Sequence, residues 1–385
     1  MKNKSFETMA THFGEMFGEK GAMNVPIYQN STFKQKKPGA WEEFTYTRTN
    51  NPTEEALRKS IGMLENATYS VIFSSGLAAI NGMLELFGPG AHILSTADIY
   101  GGSNRLFKRL GPKRDIEFSY IDTSDLDTVK NALKPNTKLI YVETPSNPLL
   151  KITDIRALSA LAKQRGILLA VDNSLATPYF QRPLDLGADL VVHSISKYIS
   201  GHTNVIGGAV VARDEKILEE LKFIHKAFGA VPGPFDCYLT MLGIKTLALR
   251  MKQHEANATR IAKHLQAHKR VKYVYYPGLA DHPHHALARA QMTGFGGIVS
   301  FELDGTTEIA VKFLENLEFF GLAVSFGSVS SLVNCPAVMS HKEMVREERL
   351  QRGFTDTLIR MSIGIEKDDD LIEDIESAMR KAFGG

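Results

Sequence analysis

The sequence predicts an α/β fold, with a mostly parallel sheet in a large domain and a smaller α+β domain toward the C-terminal end. Short β-rich apolar runs alternate with longer helical runs over about the first two thirds of the chain, as in βα repeats. The order of helices and strands changes in the last third. The 385 residues also exceed the size at which one hydrophobic core usually stops growing.

The predicted elements follow from the apolar runs and the turn residues that bound them. In the large domain the predicted strands are Ser70–Phe73, His92–Ser95, Leu139–Val142, Ile167–Val171, Leu190–Val192 and Gly208–Ala212, and the predicted helices are Leu77–Leu86, Ile155–Arg165 and Lys216–Phe228. A long helical pattern then covers Phe235–Ala267. In the C-terminal domain the predicted strands are Gly297–Leu303, Ala323–Phe326 and Leu358–Ile363, and the predicted helices are Thr307–Asn316 and Asp369–Phe383.

These elements predict three regions of the chain. Residues 1–50 look irregular and are expected to form an arm that contacts a neighbouring subunit. Residues 51–245 form the large domain and residues 246–385 the C-terminal domain, with the boundary inside the long helical pattern.

Composition narrows the functional class. The chain has 45 Lys and Arg residues against 43 Asp and Glu, so nothing favours nucleic acid or an anionic membrane as a partner. No apolar stretch is long enough to span a bilayer, and the N-terminus lacks a secretory signal, which favours a cytoplasmic enzyme. Cys237 and Cys335 lie far apart, and His282–His285 lacks companion ligands, so no disulfide framework or metal site is expected.

Lys197 is the strongest candidate for chemistry. It ends the run Ser194–Lys197, which directly follows a predicted strand, and Asp172 directly follows the preceding predicted strand. Adjacent strand ends would bring an amine and a carboxylate into one crevice, which is the pair that pyridoxal phosphate requires. The lysine forms a Schiff base with the aldehyde, and the carboxylate keeps the pyridine nitrogen protonated. Ser194 and Ser196 offer hydroxyl groups to the phosphate.

Two other interpretations of Lys197 remain open at this point. The run fits the S-x-x-K pattern of penicillin-recognising serine enzymes, but neither S-D-N nor K-T-G occurs in the chain. A single lysine after a buried strand is most often a surface residue. Only the surrounding residues favour the cofactor interpretation.

Four further motifs supply those surroundings, and each has a plainer explanation. Ser74–Ala78 is a candidate phosphate cradle at a helix N-terminus, or only a helix cap. Tyr100 is placed to stack on the pyridine ring and exchange a proton, or is an ordinary loop residue. Asn147 is a candidate partner of the ring hydroxyl, or part of a turn. Arg360, flanked by apolar residues, is suited to a substrate carboxylate, or to a structural ion pair.

Taken in order, these motifs resemble those of the pyridoxal-phosphate enzymes of cysteine and methionine metabolism. The resemblance covers nearly the whole chain, and the motifs together are far more specific than any one alone. The segments that carry it are Tyr46–Thr53, Ser74–Gly76, Tyr100–Arg105, Thr144–Pro148, Val171–Asn173 and Ser194–Tyr198.

The resemblance implies a fold of type I, like that of aspartate aminotransferase, in a homotetramer built from two dimers with shared active sites. It implies that Tyr46 and Arg48 bind the cofactor phosphate of the neighbouring subunit. It also implies cofactor contacts by Ser75, Gly76, Leu77, Tyr100, Asn147, Asp172, Ser194, Ser196 and Lys197, and substrate contacts by Ser325, Arg360 and Asn147. Lys197 is then the base that removes the Cα proton, and Tyr100 is the acid toward sulfur.

Departures from the family pattern bear on the substrate. Methionine γ-lyases usually have a cysteine at the position of Gly102, and cystathionine enzymes commonly carry acids at the positions of Thr45 and Ser330. Losing both acids weakens recognition of a second amino-acid head. We therefore expect a carbon–sulfur lyase similar to cystathionine γ-lyase, with cystathionine γ-synthase or O-acylhomoserine sulfhydrylase as the alternative. Methionine γ-lyase and cystathionine β-lyase are further alternatives.

Overall fold

A computed structural model describes residues 4–13, 21–340, 342 and 344–384; residues 1–3 and 14–20 of the predicted arm lie outside this part of the chain. The helices are α1 (Phe6–His12), α2 (Pro52–Leu64), α3 (Gly76–Leu84), α4 (Gly101–Leu110), α5 (Leu126–Ala132), α6 (Ile155–Arg165), α7 (Thr177–Phe180), α8 (Glu215–Phe228), α9 (Pro234–Lys245), α10 (Leu247–Ala267), α11 (His285–Gln291), α12 (Thr307–Glu315), α13 (Arg346–Gln351) and α14 (Asp368–Phe383). The strands are β1 (Ser70–Phe73), β2 (His92–Thr96), β3 (Glu117–Ile121), β4 (Thr137–Glu143), β5 (Leu168–Asp172), β6 (Leu190–Ser194), β7 (Gly208–Ala212), β8 (Val271–Tyr275), β9 (Ile298–Leu303), β10 (Gly321–Leu322), β11 (Leu332–Asn334) and β12 (Leu358–Ser362).

The large sheet has the order β1-β7-β6-β5-β4-β2-β3 among the described residues. Its strands run parallel except β7, which pairs antiparallel with both β1 and β6. All residues of β1, β2 and β7 are buried, as expected for a mostly parallel sheet that is covered on both faces. The predicted mostly parallel α/β sheet is therefore confirmed.

A second sheet lies in the C-terminal part of the chain, with the order β10-β11-β12-β9-β8. It packs against α10, α12 and α14 around a hydrophobic core of its own, which includes Phe301, Phe313, Met361 and Leu371. The helical pattern predicted over Phe235–Ala267 forms two helices, because the backbone leaves the helical region at Thr246 (φ −107°, ψ 2°). The domain boundary near residue 245 stays a prediction.

The strand predicted at Ala323–Phe326 is wrong. The edge strand β10 ends one residue earlier, at Leu322, and the chain then runs without regular structure to residue 331. Ser325 and Gly327 have φ values of +98° and +82°, which no β-strand accommodates. The apolar sequence resembles a strand, but its backbone makes a turn.

The N-terminal segment contains a short helix where the sequence predicts irregular structure. In α1, Ser5 caps the helix by accepting the N–H of Thr8. Phe6, Met9 and Phe13 are buried, and α1 lies against α2, α9 and α10 of the same chain. Sequence patterns also missed the helices α2, α4, α5, α7, α11 and α13, and the strands β3, β8, β10 and β11. No helix within the described ranges is long and apolar enough to cross a bilayer.

Replacing Gly208 with alanine tests how tightly the large sheet packs on the start of α3. Gly208 pairs with Phe73 and Ser194, and an added Cβ would lie 2.3 Å from the Ser75 carbonyl oxygen. Such overpacking is expected to lower the free energy of unfolding by about 1–3 kcal/mol. Thermal unfolding measures this loss of stability. Gly88→Ala is the control, because nothing lies within 4 Å of a Cβ added there. Equal stability of the two variants would contradict this contact.

Candidate active site

Three neighbouring parallel strands end at one edge of the large sheet. β4 pairs with β5 so that Glu143 lies beside Asp172, and β5 pairs with β6 so that Asp172 lies beside Val192. Ser194 ends β6, and Lys197 follows three residues later. The crevice beyond the carboxyl ends of such strands is the usual ligand site of an α/β sheet. The amine and the carboxylate expected to share a crevice thus lie on adjacent strand ends.

The Lys197 amine is held by residues of the C-terminal part of the chain. Its Nζ donates a hydrogen bond to Ser325 Oγ at 2.7 Å and lies 5.1 Å from the centre of the Phe326 ring. Burial and the nearby Arg360 guanidinium lower the pKa of Lys197 to about 8, against the opposing effect of Asp172. Lys197 therefore releases its proton far more readily than an exposed lysine, as a base or nucleophile requires.

The Asp172 carboxylate is buried and hydrogen-bonded. It accepts the Tyr141 hydroxyl at 3.0 Å and the Ser174 backbone N–H at 3.0 Å. Ser174 Oγ in turn accepts the backbone N–H of Ser194 at 2.7 Å. These bonds connect the carboxylate directly to the end of β6, so its position relative to Ser194 and Lys197 is set by the sheet.

The start of α3 forms a candidate anion site. Ser75 Oγ accepts the N–H of Ala78 at 3.0 Å. The N–H groups of Gly76 and Leu77 have no partner within the helix, because the first amides of a helix never do. A Cβ on Gly76 would lie 3.1 Å from Ser194 Oγ, so the glycine brings this backbone close to the serine hydroxyl.

Ser196 completes the same region of the crevice. Its hydroxyl accepts the Gly207 N–H at 3.0 Å and donates to the Gly207 carbonyl at 3.3 Å, which orients it within the turn between β6 and β7. Free helix amides and serine hydroxyls are the donors that a phosphate group prefers. With the amine and carboxylate nearby, this donor set fits pyridoxal phosphate.

Arg360 is buried in β12, and its partners are neutral oxygens. It donates to Asn147 Oδ1 at 3.0 Å and to the Ser325 carbonyl at 2.5 Å. With its amide oxygen turned toward the guanidinium, Asn334 also accepts from Arg360. Burial lowers the pKa of Arg360 to about 10, so the group stays charged at neutral pH. A buried cation with no ion pair recorded among the described residues is well suited to bind a carboxylate.

Ser325 and Phe326 connect the two cations. Ser325 adopts a φ of +98°, which is unusual for a residue other than glycine. It contacts Lys197 through its hydroxyl and Arg360 through its carbonyl. The Phe326 ring centre lies 5.1 Å from the Lys197 amine and 5.7 Å from the Arg360 guanidinium carbon. The sequence placed Phe326 in a strand, and no motif marked it as a site residue.

Tyr100 lies directly before α4, half exposed beside the crevice. Its backbone N–H donates to Glu143 Oε2 at 2.9 Å. A Cβ on Gly102 would lie 2.3 Å from the Tyr100 ring, so the ring occupies the space that the glycine leaves. Sequence analysis missed Glu143, although it follows the predicted strand Leu139–Val142 as Asp172 follows its own strand.

Tyr46 and Arg48 lie apart from the Lys197 crevice of their own chain. The Arg48 guanidinium donates to the Lys226 carbonyl at 2.6 Å and approaches the Tyr46 ring at 5.6 Å. Both residues line an open cleft of about 430 Å³ with residues 231–234. No recorded contact among the described residues joins either of them to Lys197, Asp172 or Arg360.

The acidity of Lys197 can be measured directly in the cofactor-free protein. We expect the rate of its acylation, followed by mass spectrometry against pH, to have a midpoint near 8, whereas an ordinary lysine gives about 10.4. Arg360→Gln should raise this midpoint because it removes a positive charge, and Asp172→Asn should lower it because it removes a negative one. A midpoint above 10 in the unmodified protein would contradict the buried environment of the amine.

The family of this chain follows from comparison with known proteins. The family described as "Cys/Met metabolism PLP-dependent enzyme" matches residues 7–380. The chain is 48% identical over 380 residues to cystathionine gamma-lyase of Bacillus subtilis strain 168, covering 98% of this chain and 99% of the relative. It is 49% identical over 362 residues to cystathionine beta-lyase of Lactococcus lactis subsp. cremoris strain MG1363, covering 94% and 95%.

Solved structures agree with these relatives. Cystathionine gamma-lyase from Lactobacillus plantarum, complexed with L-serine, superimposes with a TM-score of 0.96 at 43% identity, covering 99% of this chain and 100% of that one. Cystathionine gamma synthase from Xanthomonas oryzae pv. oryzae, in complex with aminoacrylate and cysteine, gives 0.97 at 42% identity with complete coverage of both chains. The type I fold and the pyridoxal phosphate cofactor implied by the sequence motifs are confirmed. The chain belongs to the pyridoxal-phosphate-dependent enzyme family of cysteine and methionine metabolism.

Proposed function

We propose that the protein is a carbon–sulfur lyase that cleaves sulfur amino acids by α,γ-elimination and releases a thiol, a 2-oxo acid and ammonia. The observation that carries the proposal is the buried Lys197 amine, with a pKa near 8, hydrogen-bonded to Ser325 and close to Arg360. This arrangement puts a proton acceptor next to a carboxylate-binding cation, as removal of the Cα proton of an amino acid requires. The cystathionine gamma-lyase of B. subtilis supports γ-cleavage. The cystathionine beta-lyase of L. lactis supports carbon–sulfur cleavage only.

The residues proposed to hold pyridoxal phosphate match its chemical groups. Lys197 is the amine that links to its aldehyde, and Asp172 is the carboxylate that keeps the ring nitrogen protonated. Tyr100 is the aromatic partner of the ring, and Asn147 is the partner of its hydroxyl. The proposed phosphate contacts are Ser75, Gly76, Leu77, Ser194 and Ser196, with Tyr46 and Arg48 from a neighbouring subunit.

The bound cofactor supplies an aldehyde for amines and a ring that withdraws electrons from the substrate Cα. Lys197 Nζ is the proposed base. Because its pKa is about 8, roughly a tenth of the amine is neutral at pH 7, and the neutral fraction rises through pH 8. Tyr141 and Ser174 anchor Asp172, which fixes the position of the carboxylate proposed to meet the ring nitrogen.

Arg360 is proposed to bind the substrate carboxylate together with Ser325 and Asn147. A guanidinium binds a carboxylate through two parallel hydrogen bonds, which orients the Cα of the substrate as well as holding it. Ser325 and Asn147 lie next to Arg360, because its guanidinium donates to the Ser325 carbonyl and to Asn147 Oδ1. The Ser325 hydroxyl and the Asn147 amide N–H groups are the donors proposed for the substrate carboxylate.

Tyr100 is proposed as the acid that protonates the departing sulfur. Its ring is half exposed at the crevice, and its backbone is held by Glu143. Loss of the γ-substituent requires removal of a proton from Cβ as well as from Cα. Hydrolysis of the remaining four-carbon fragment by water then gives the 2-oxo acid and ammonia. Capture of the same fragment by a thiol gives replacement instead, which is the second candidate function and is favoured by the similarity to the X. oryzae gamma synthase.

Thr45 and Ser330 are both uncharged residues. Ser330 is exposed, and Thr45 is uncharged, where cystathionine enzymes commonly carry acids. We therefore propose that a second amino-acid head is bound less tightly than in those enzymes, so simpler sulfur amino acids compete well with cystathionine.

We also propose that the enzyme works as a cytoplasmic homotetramer with shared active sites. In the described part of the chain, no contact joins Tyr46 or Arg48 to Lys197, Asp172 or Arg360, which supports a role for both in the active site of a neighbouring subunit. Phe235 and Leu242 lie seven residues apart on α9 and are exposed, beside the cleft that Arg48 lines. Such an apolar face suits a second copy of the chain. The free, buried Cys237 and Cys335 suit a reducing compartment.

A substrate panel tests the reaction. Release of 2-oxo acid is measured from cystathionine, methionine, homocysteine and cysteine, and we expect 2-oxobutanoate from the γ-substituted substrates. Pyruvate from cystathionine would indicate β-cleavage instead. With an O-acylhomoserine, a lyase releases 2-oxobutanoate with or without a thiol. A thioether product without release of a 2-oxo acid would contradict the lyase activity and support the transferase activity.

Mixing inactive variants tests both the base and the shared site. Lys197→Ala should lack the visible absorption of the lysine-linked cofactor and lack turnover, and Arg48→Ala should bind the cofactor poorly. Refolding the two together should restore roughly a quarter of the unmodified activity, because half of the dimers are mixed and each has one intact site.

Lys197→Ala mixed with Asp172→Asn is the matched control, because both residues serve the crevice of one chain. This mixture should restore nothing. Turnover by Lys197→Ala alone would show that Lys197 is not the base. If the mixture of Lys197→Ala and Arg48→Ala regains no activity, Arg48 does not serve a shared active site.

A further inference from the structure

Glu143 is a buried carboxyl group for which the proposed reaction has no use. It ends β4, only 3% exposed, and lies beside Asp172 in the register of the sheet. Its backbone N–H donates to Thr96 Oγ1 on the neighbouring β2 at 3.3 Å. The backbone that carries this carboxyl is therefore held by strands on both sides.

The Glu143 side chain reaches the backbone of Tyr100 across the gap between β4 and α4. Glu143 Oε2 accepts the Tyr100 N–H at 2.9 Å. The Tyr100 carbonyl accepts the N–H of Asn104 at 3.1 Å as the first bond of the helix. Both backbone polar groups of Tyr100 are thus occupied, and Glu143 supplies the one contact that ties them to the sheet.

The Tyr100 ring has one further constraint. A Cβ at Gly102 would lie 2.3 Å from the ring, so the side chain occupies the space over this glycine. The helix start carries no side-chain cap. Glu143 therefore holds the backbone that carries the ring, and the ring itself occupies the space that a side chain at position 102 would fill.

We propose that Glu143 is a positioning residue that acts through Tyr100: its buried carboxyl holds the Tyr100 backbone and thereby presents the ring to the crevice. This inference rests on the proposed contact between Tyr100 and the cofactor. It separates two neighbouring carboxyl groups by role, since Asp172 faces the cofactor ring and Glu143 faces the protein.

The protonation of Glu143 agrees with this division. Burial and the neighbouring Asp172 carboxylate raise the pKa of Glu143 well above its usual range, against the opposing Tyr100 N–H, and Asp98 acts in the same direction as Asp172. Arg360 opposes them but does not contact it directly in any recorded bond. A neutral carboxyl still accepts the Tyr100 N–H through one oxygen.

Two substitutions separate the hydrogen bond from the charge. Glu143→Gln keeps an oxygen acceptor and is neutral, whereas Glu143→Met has a similar length and offers no comparable acceptor. We expect Glu143→Met to weaken cofactor affinity about 3- to 10-fold, measured by titrating the cofactor-free protein, as expected for one lost hydrogen bond. Glu143→Gln should restore affinity to within about twofold.

A double-mutant cycle with Tyr100→Ala shows whether Glu143 acts through Tyr100. In that background Glu143→Met should have no further effect on cofactor affinity. An equal loss in both backgrounds would overturn the proposal, because Glu143 would then act through Asp172 or the fold. No loss in either Glu143 variant would overturn it as well.

Hydrogen exchange of the cofactor-free protein gives an independent measurement. The Tyr100 amide should exchange at least about tenfold more slowly than the Gly101 amide, which begins the helix without an intrahelical acceptor. Protection should persist in Asp98→Asn, the control at another buried carboxyl, and be lost in Glu143→Met. An unprotected Tyr100 amide in the native protein would refute the positioning role even if Glu143→Met does not fold.

The same experiments distinguish failure of the underlying function. If Tyr100→Ala alone leaves cofactor affinity unchanged, the proposed contact of Tyr100 with the cofactor is wrong. The exchange of the Tyr100 amide then decides by itself whether Glu143 holds this backbone.

Discussion

The parallel pairing of β5 with β6 is the constraint on which the active site depends. Asp172 ends one strand, and Lys197 follows the end of the other, so the register of this pair sets their separation. Ser174 strengthens the arrangement, since it donates to Asp172 and accepts from the Ser194 backbone. A slip of this register by one residue would turn Asp172 to the opposite face of the sheet and separate the carboxylate from the amine.

Opposing charges in a buried space determine the chemistry of this crevice. Burial and Arg360 favour the neutral form of Lys197, whereas Asp172 favours the charged form. The result is an amine that gains and loses a proton near neutral pH. Arg360 itself is surrounded by neutral oxygens, so its positive charge remains available for a carboxylate. Lys197 and Arg360 are thus suited to different roles, proton transfer and carboxylate binding, because their contacts differ.

The two sheets of the molecule meet at this site. Lys197 and Asn147 follow the ends of β6 and β4 of the large sheet. Ser325 and Arg360 come from the C-terminal part of the chain. The turn at Ser325 joins them, because its hydroxyl contacts the amine and its carbonyl contacts the guanidinium. Its positive φ is a strained conformation that the surrounding contacts must maintain. Neither sheet alone would contain both the proton acceptor and the carboxylate-binding cation.

The sequence alone indicated the amine and the carboxylate of the candidate site and predicted most of the large sheet. Apolar strands followed by Asp172 and by Ser194–Lys197 form a local pattern, and the strands β1, β6 and β7 form close to where the apolar runs predict them. The motifs around these residues also identified the family and its cofactor. Local patterns carry this information because a strand and the turn after it depend mainly on neighbouring residues.

Only the tertiary structure decided the contacts between distant segments. Ser325 and Phe326 read as a strand in sequence, but contacts with Lys197 and Arg360 hold them in a turn. Glu143 meets Tyr100 across 43 residues of chain, and no local pattern encodes that pairing. Arg48 likewise donates to the carbonyl of Lys226, which is 178 residues away along the chain. Such contacts depend on how strands and helices pack, which a single linear sequence does not record.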